Sequence, residues 1–156
     1  MKFLCDQMLC GLGKWLRAAG YDTEIATPGI DDRQLLNWAK DEARIVLSCD
    51  GRLPCGRDAF VPEPVILSTN RIEPAVRELT RRLHINWLRR SFTRCLKDNT
   101  KLRLATREEA AHAPRCSREL PGPMMTCPSC QRLYWPGSHY RRMKGKLEAF
   151  AASSTG

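Results

Sequence analysis

The first 86 residues alternate between short apolar runs and stretches of helical periodicity, and this alternation restricts the fold more than any other feature of the chain. KFLC (2–5), DTEIA (22–26), RIVLS (44–48) and VILS (65–68) read as strands, and the third is so apolar that both of its faces need cover. Residues 7–19 place Met8, Leu12, Trp15, Leu16 and Ala19 on one helical face, and Gly20 stands where a helix-ending glycine is expected. A second helix starts at Asp31 or Asp32 and brings Leu35, Leu36 and Ala39 inward. A third, from residue 72 to 84, aligns Ile72, Val76, Leu79 and Leu83. The βαβαβ–βα order predicts an α/β fold, a parallel sheet with helices on both faces.

After residue 86 the pattern changes. Helical periodicity is lost, and Pro114, Pro121, Pro123, Pro128 and Pro136 punctuate the stretch. The charge changes too. Residues 1–86 balance twelve basic against twelve acidic side chains, whereas 87–156 hold fourteen against five, so the whole net charge of +9 lies in the second part. The expected organisation is a neutral α/β domain (1–86), a basic module (87–147) suited to a polyanion, and a frayed tail (148–156). The module has too few large apolar side chains to bury a core unaided and needs a staple. No apolar run approaches the ~20 residues of a membrane span, and the N-terminus lacks the pattern of a secretory signal, which points to the cytosol.

In an open parallel sheet, sites form outside the carboxyl ends of the strands. The first strand runs into Asp6, the third into Asp50, and the second is followed by a loop ending in Asp31-Asp32 at a helix start. Each acid has a local explanation, as helix cap or turn residue. Their convergence on one edge argues for a cation that relieves their repulsion, and oxygen donors favour Mg²⁺ or Mn²⁺. Such ions activate water and stabilise phosphoryl displacement.

The stretches KFLCDQMLCGLGKWLRAAGYDT, DDRQLLNWAKDEARIVLSCD and CPSCQRLYWPGSHYRRM together resemble the Mut-seven C-terminal RNase domain family over roughly residues 2–147. The resemblance implies a PIN-like nuclease domain followed by a zinc ribbon, with a metal-dependent ribonuclease site. Position by position, the implied acids are Asp6, Asp32 and Asp50, with Asp31 the neighbouring alternative to Asp32. Asp22 also matches, but it opens a strand and reads as structural. The family's Thr-Arg-Asp motif is here Ser48-Cys49-Asp50, without the arginine, and Arg52 lies two residues on. Lys14 and Arg17 match basic positions of the first helix and, like Arg52, are candidates to hold a phosphate. A solvated helix face is the competing reading for Lys14 and Arg17.

Eight cysteines, Cys5, Cys10, Cys49, Cys55, Cys95, Cys116, Cys127 and Cys130, read as thiols rather than a disulfide framework. The first four sit in or beside apolar runs. Cys127-Pro-Ser-Cys130 is one zinc knuckle, and the position of the family's other knuckle reads Cys95-Leu-Lys-Asp98. Zinc bound by Cys95, Asp98, Cys127 and Cys130 is one outcome. Replacement of the fourth ligand by Cys116, His112 or His139 is another, and loss of the site is the third. In YWPGSHYRRMKGK (134–146), Tyr134, Trp135, His139 and Tyr140 offer stacking faces, and Arg141 and Arg142 offer phosphate contacts for single-stranded or structured RNA. For Trp135 and Tyr140, packing against the first domain is the alternative. Three functions are in play: a Mg²⁺- or Mn²⁺-dependent ribonuclease, an RNA-binding protein with a weak or unused nuclease site, and a toxin-like nuclease with a protein antitoxin.

Overall fold

The computed structural model describes residues 1–53 and 62–153. Cys55 falls outside them. β1 (Lys2–Cys5), β2 (Asp22–Ile25), β3 (Ile45–Ser48) and β4 (Val65–Ile66) form one parallel sheet in the order β2-β1-β3-β4. α1 (Cys10–Ala18) follows β1, α2 (Asp32–Asp41) follows β2 and α3 (Ile72–Leu83) follows β4, as the βαβαβ–βα order predicts. Central β1 divides its side chains between two cores. Phe3 and Cys5 join Leu12, Leu16, Val76 and Leu79 on the α1–α3 face. Leu4 joins Val46, Leu35 and Ala39 on the α2 face. This period-two partition explains why Phe3, Leu4 and Cys5 are all apolar, with only Lys2 at the strand's start exposed.

Residues Gln7–Leu9 form a single 3-10 turn rather than the first turn of α1. That turn shifts the phase of the apolar stripe. Leu9 becomes buried and Met8, expected inward, is 57% exposed. Gly13 lets α1 lie close to the sheet, since a Cβ there would meet Ile25 Cγ1 at 2.8 Å.

The second part is not an independent body. Gly20 ends α1 with φ +90°, and a Cβ on it would meet the Arg90 carbonyl oxygen at 2.3 Å. The Phe92 N–H donates to the Ala18 carbonyl at 2.7 Å, so the chain after residue 89 satisfies the open end of α1. Trp87 is fully buried and donates its indole N–H to Thr80 Oγ1 at 2.8 Å. Beyond it, β5 (Arg103–Leu104), β6 (Met125–Thr126) and β7 (Leu133–Tyr134) make a small antiparallel sheet. Two single-turn helices, α4 (Arg107–Ala110) and α5 (Arg115–Arg118), lie between β5 and β6.

The loss of periodicity and the frayed tail both need correction. α6 (Ser138–Ala152) is the longest helix among the described residues. It buries Leu147 and Phe150 in the α1–α3 core, with the Phe150 ring edge-on to Trp15 at 5.2 Å and Trp87 at 5.4 Å. Tyr140, Met143, Leu147 and Phe150 do recur at helical spacing, but Arg141, Arg142, Lys144, Gly145 and Lys146 dilute the stripe. Among the described residues no helix is long and apolar enough to cross a membrane. Phe150→Ala is expected to cost about 3–5 kcal/mol in urea unfolding, as for other buried aromatics. A loss within about 0.5 kcal/mol, typical of exposed positions, would contradict the docking of α6.

Candidate functional site

Two clusters of donor side chains lie at opposite ends of the parallel sheet. The first is at its carboxyl edge. Asp6 follows β1 and caps the 3-10 turn, its Oδ1 accepting from the Gln7 N–H at 2.5 Å. Ser48, the last residue of β3, is fully buried. Its hydroxyl donates to Asp6 Oδ2 at 2.8 Å and accepts from the Asp50 N–H at 3.0 Å. One hydroxyl therefore ties the acids of two adjacent strands together. Asp50 Oδ1 accepts from the Arg52 N–H at 2.9 Å and from Arg52 Nε at 3.3 Å. Those two contacts hold the Asp50 carboxyl below its usual range, the backbone N–H first and the guanidinium second. The Arg52 charge is favoured in turn by Asp50 and, more weakly, by Asp32.

Asp31 and Asp32 differ in their hydrogen bonding. Asp31 is the N-cap of α2, accepting from the Gln34 N–H at 2.8 Å, and the Gln34 side chain accepts from the Asp31 N–H at 3.2 Å. Asp32 stands exposed in the first turn and makes no hydrogen bond among the described residues. Asp6 caps the 3-10 turn, Asp50 meets Arg52, Asp31 caps α2, and Asp32 alone of the four carboxylates makes no hydrogen bond among the described residues. They do not form a closed group. Among the described residues, the one set of three or more His, Cys, Asp or Glu ligand atoms all within 4.8 Å of one another lies elsewhere, at the cysteines.

The basic candidates separate in the same way. Lys14 is exposed, on the α1 stripe that carries Cys10, and has no partner among the described residues. Arg52 is 91% exposed and folded onto Asp50. Arg141 and Arg142 are exposed on α6. Arg17 fits neither expectation, solvated face nor phosphate ligand. It is 3% exposed, and its guanidinium donates to the carbonyls of Thr23 at 2.7 Å, Leu96 at 3.1 Å and Lys97 at 2.7 Å. With its donors aimed into the protein, Arg17 is part of the frame.

That frame continues along β2. Asp22 accepts from Arg44 at 2.7 Å, Arg94 at 3.2 Å and Asn99 Nδ2 at 2.8 Å. Burial works against its ionisation, but the hydrogen bonds from Arg44 and Asn99 and the nearby guanidinium charges prevail and lower its pKa. Asn99 Oδ1 accepts from the Thr23 N–H at 3.0 Å, occupying a ladder donor of this edge strand.

The second cluster grows from the same loop. Cys95–Thr100 and Cys127–Arg132 are the same turn. In each, the second cysteine-position residue (Asp98, Cys130) precedes a left-handed residue, Asn99 with φ 68° or Gln131 with φ 58°. The Cys95 N–H donates to the Thr100 carbonyl at 2.8 Å, and the Cys127 N–H donates to the Arg132 carbonyl at 3.0 Å. Asp98 therefore occupies the place that Cys130 holds in its own turn. Cys95 Sγ lies 3.6 Å from Cys130 Sγ, and Cys127 Sγ lies 3.3 Å from Asp98 Oδ1. A tetrahedral zinc site, with Zn–S about 2.3 Å and Zn–O about 2.0 Å, has corners about 3.5–3.8 Å apart. Cys95, Asp98, Cys127 and Cys130 can thus hold a metal ion such as zinc. Exposed Cys116 and His112 lie outside this group, as does His139.

Two of these residues, Cys130 and Asp98, have shifted protonation equilibria. Burial pushes the Cys130 thiol up, with Asp98, Cys95 and Cys127 adding to it, to about 12. Burial opposes ionisation of Asp98, yet hydrogen bonds from Cys95, Cys130, Thr100 and Cys127 hold its carboxyl far below the usual range. A divalent cation among the four would favour the thiolates. The Tyr134 hydroxyl, 3.1 Å from Cys95 Sγ, also accepts from the Leu96 N–H at 3.1 Å, so it fixes the first turn from behind. The described cysteines are all free thiols.

Oxygen donors at the carboxyl edge of a parallel sheet are equipment of the kind used by phosphoryl-transfer hydrolases. Comparison with family models agrees with that class. The model of the Mut7-C RNAse domain matches residues 1–147, and the chain belongs to that family. Membership points to a nuclease-type hydrolase with RNA as its substrate. Neither the curated proteins nor the solved structures give a match.

Ser48 and Asn99 are residues that motif reading leaves without a role, and Tyr134, read there as a stacking face, braces the first cysteine turn through its hydroxyl. A hydroxyl ending an apolar strand beside an acid is the one sequence signal for Ser48. Asn99 has none. Asp98→Ala is expected to weaken zinc binding at least about 100-fold, beyond the 10–100-fold typical of outer-shell losses, in competition with a chromophoric chelator. Asp98→Cys keeps the site. Unchanged affinity in Asp98→Ala would remove Asp98 from the ligand set.

Proposed function

We propose that the protein is a Mg²⁺- or Mn²⁺-dependent ribonuclease with a PIN-like catalytic domain and an RNA-binding zinc-ribbon module. The observation that carries this reading is the Asp6–Ser48–Asp50 network, at the sheet edge where open α/β folds place their sites, in a chain of an RNAse family. The donor set suits a hard divalent cation in kind, since Asp6, Asp32 and Asp50 offer carboxylate oxygens. When bound there, the cation supplies an activated water and neutralises charge developing on the phosphate.

The chain's own residues do the rest. Ser48 fixes the orientation of the Asp6 carboxylate from below. Asp6, Asp32 and Asp50 hold the cation. Arg52 shields Asp50 in the resting protein, and its exposed side chain can turn to a phosphate oxygen once the carboxylate is needed. Lys14, without a partner among the described residues, offers a second phosphate contact from the neighbouring helix. Water adds to phosphorus, one P–O ester bond breaks, and a phosphate monoester and a hydroxyl leave. Arg141 and Arg142 hold the RNA backbone outside the reacting bond.

A second reading, RNA binding with an unused nuclease site, is favoured by one observation: the three carboxylates stand wider apart than the cysteine group. Labelled single-stranded RNA with Mn²⁺ separates the two. Asp6→Asn is expected to slow hydrolysis at least about 100-fold, which corresponds to about 2.7 kcal/mol of barrier, while RNA binding persists. Equal cleavage by both proteins would remove Asp6 from the site. Binding without cleavage by either would leave the second reading.

A further inference from the structure

We propose that the groove between Phe92 and the start of α6 is a pocket for one unpaired nucleobase of single-stranded RNA. It has a volume of about 660 Å³, within the roughly 300–1,000 Å³ common for small-ligand pockets. Its walls include Phe92, Tyr134, Trp135, His139, Tyr140 and Met143. Phe92 and Tyr140 already stack, their ring centroids 4.4 Å apart and tilted by 45°. Aromatic walls take a base by stacking, irrespective of its identity.

Three further observations select a nucleotide over a purely apolar occupant. The indole N–H of Trp135, the His139 ring and the Tyr140 hydroxyl make no hydrogen bond among the described residues, so polar tips are free on an aromatic wall. Stacking faces with free donors and acceptors match a base, which has both a π-face and polar edges. Charge is the second observation. Segments 84–97 and 120–147, which supply the whole lining, contain no Asp or Glu, while Arg132 lies in the wall and Arg141 and Arg142 follow it. The third is the start of α6. Gly137, Ser138, His139 and Tyr140 all line the groove, and the helix has no side-chain cap, so its first-turn N–H groups are available to the phosphate of the same nucleotide.

The backbone at Phe92 fits this assignment. Its φ of 60° is a left-handed conformation that a bulky residue adopts at a cost, and the Ala18 carbonyl holds it there. The groove lies at the far end of α1 from Asp6. The 3-10 turn and α1 together separate the two by about 20 Å. A base held in the groove would therefore set the cleaved bond at a constant offset along the strand. This deepens the ribonuclease reading and rests on it only for that offset.

The test uses the Asp6→Asn chain and a labelled RNA oligonucleotide in which one abasic ribose is walked along the sequence, read by fluorescence anisotropy. One position is expected to lose about tenfold in affinity, on the scale of one base stack. Trp135→Leu and Tyr140→Leu, each checked for thermal unfolding and bound zinc, are expected to erase that sensitivity. Uniform loss at all positions, sensitivity that survives in both variants, or no RNA binding would overturn the pocket. So would a dimer on gel filtration that dissociates in both variants, because a second copy would then fill the groove. Cleavage by the unmutated chain is scored separately. Cleavage without a sensitive position sinks the pocket and leaves the ribonuclease. A sensitive position without cleavage leaves the pocket and sinks the ribonuclease.

Discussion

The buried charge network on β2 is what the remaining structure depends on. Asp22 and Glu24 on this edge strand would repel each other and leave ladder groups open. Arg17 from α1, Arg44 just before β3, and Arg94 and Asn99 beside and within the first cysteine turn converge on them. A guanidinium as buried as Arg17 is tolerable only because carbonyls and Glu24 meet its donors. The network closes the sheet edge and orients the second module. With Asp22 and Thr23 at the beginning of β2, the cysteine group is placed near the amino edge. The acids after β1 and β3 are left at the opposite edge.

One six-residue loop serves both purposes. From Cys95 to Thr100, the Cys95 and Asp98 side chains turn toward Cys127 and Cys130, while the carbonyls of Leu96 and Lys97 and the Asn99 side chain turn toward the sheet. Strands of two residues such as β5, β6 and β7 have little stability of their own. A metal held by the four ligand residues would therefore support the clamp at β2. α6 adds a second attachment by burying Phe150 against Trp15 and Trp87.

The sheet and its three helices were legible because each strand run is apolar and each helix stripe is regular. The acids at the carboxyl edge were legible because parallel topology places strand ends together. The preference for Asp32 over Asp31 rests on the resemblance, and the capping box with Gln34 shows Asp31 engaged as a helix cap. What could not be read is whatever depends on side chains meeting across 70 or more residues, such as Arg17 with Leu96 or Asp22 with Asn99. Arg17 looked like a surface cation because its helix position says nothing of the loop that covers it. α6 was hidden because basic residues interrupt its stripe, and Met8 because a 3-10 turn shifted the phase.

Hydrogen exchange at the Thr23 amide tests this account most directly, because its acceptor is Asn99 in the other module. If the clamp joins the two parts into one cooperative body, this edge-strand N–H exchanges as slowly as the amides of central β1, through global unfolding. Exchange orders of magnitude faster at Thr23, with β1 still protected, would mean that the module lifts away from the sheet and that the two sites hold no fixed relation.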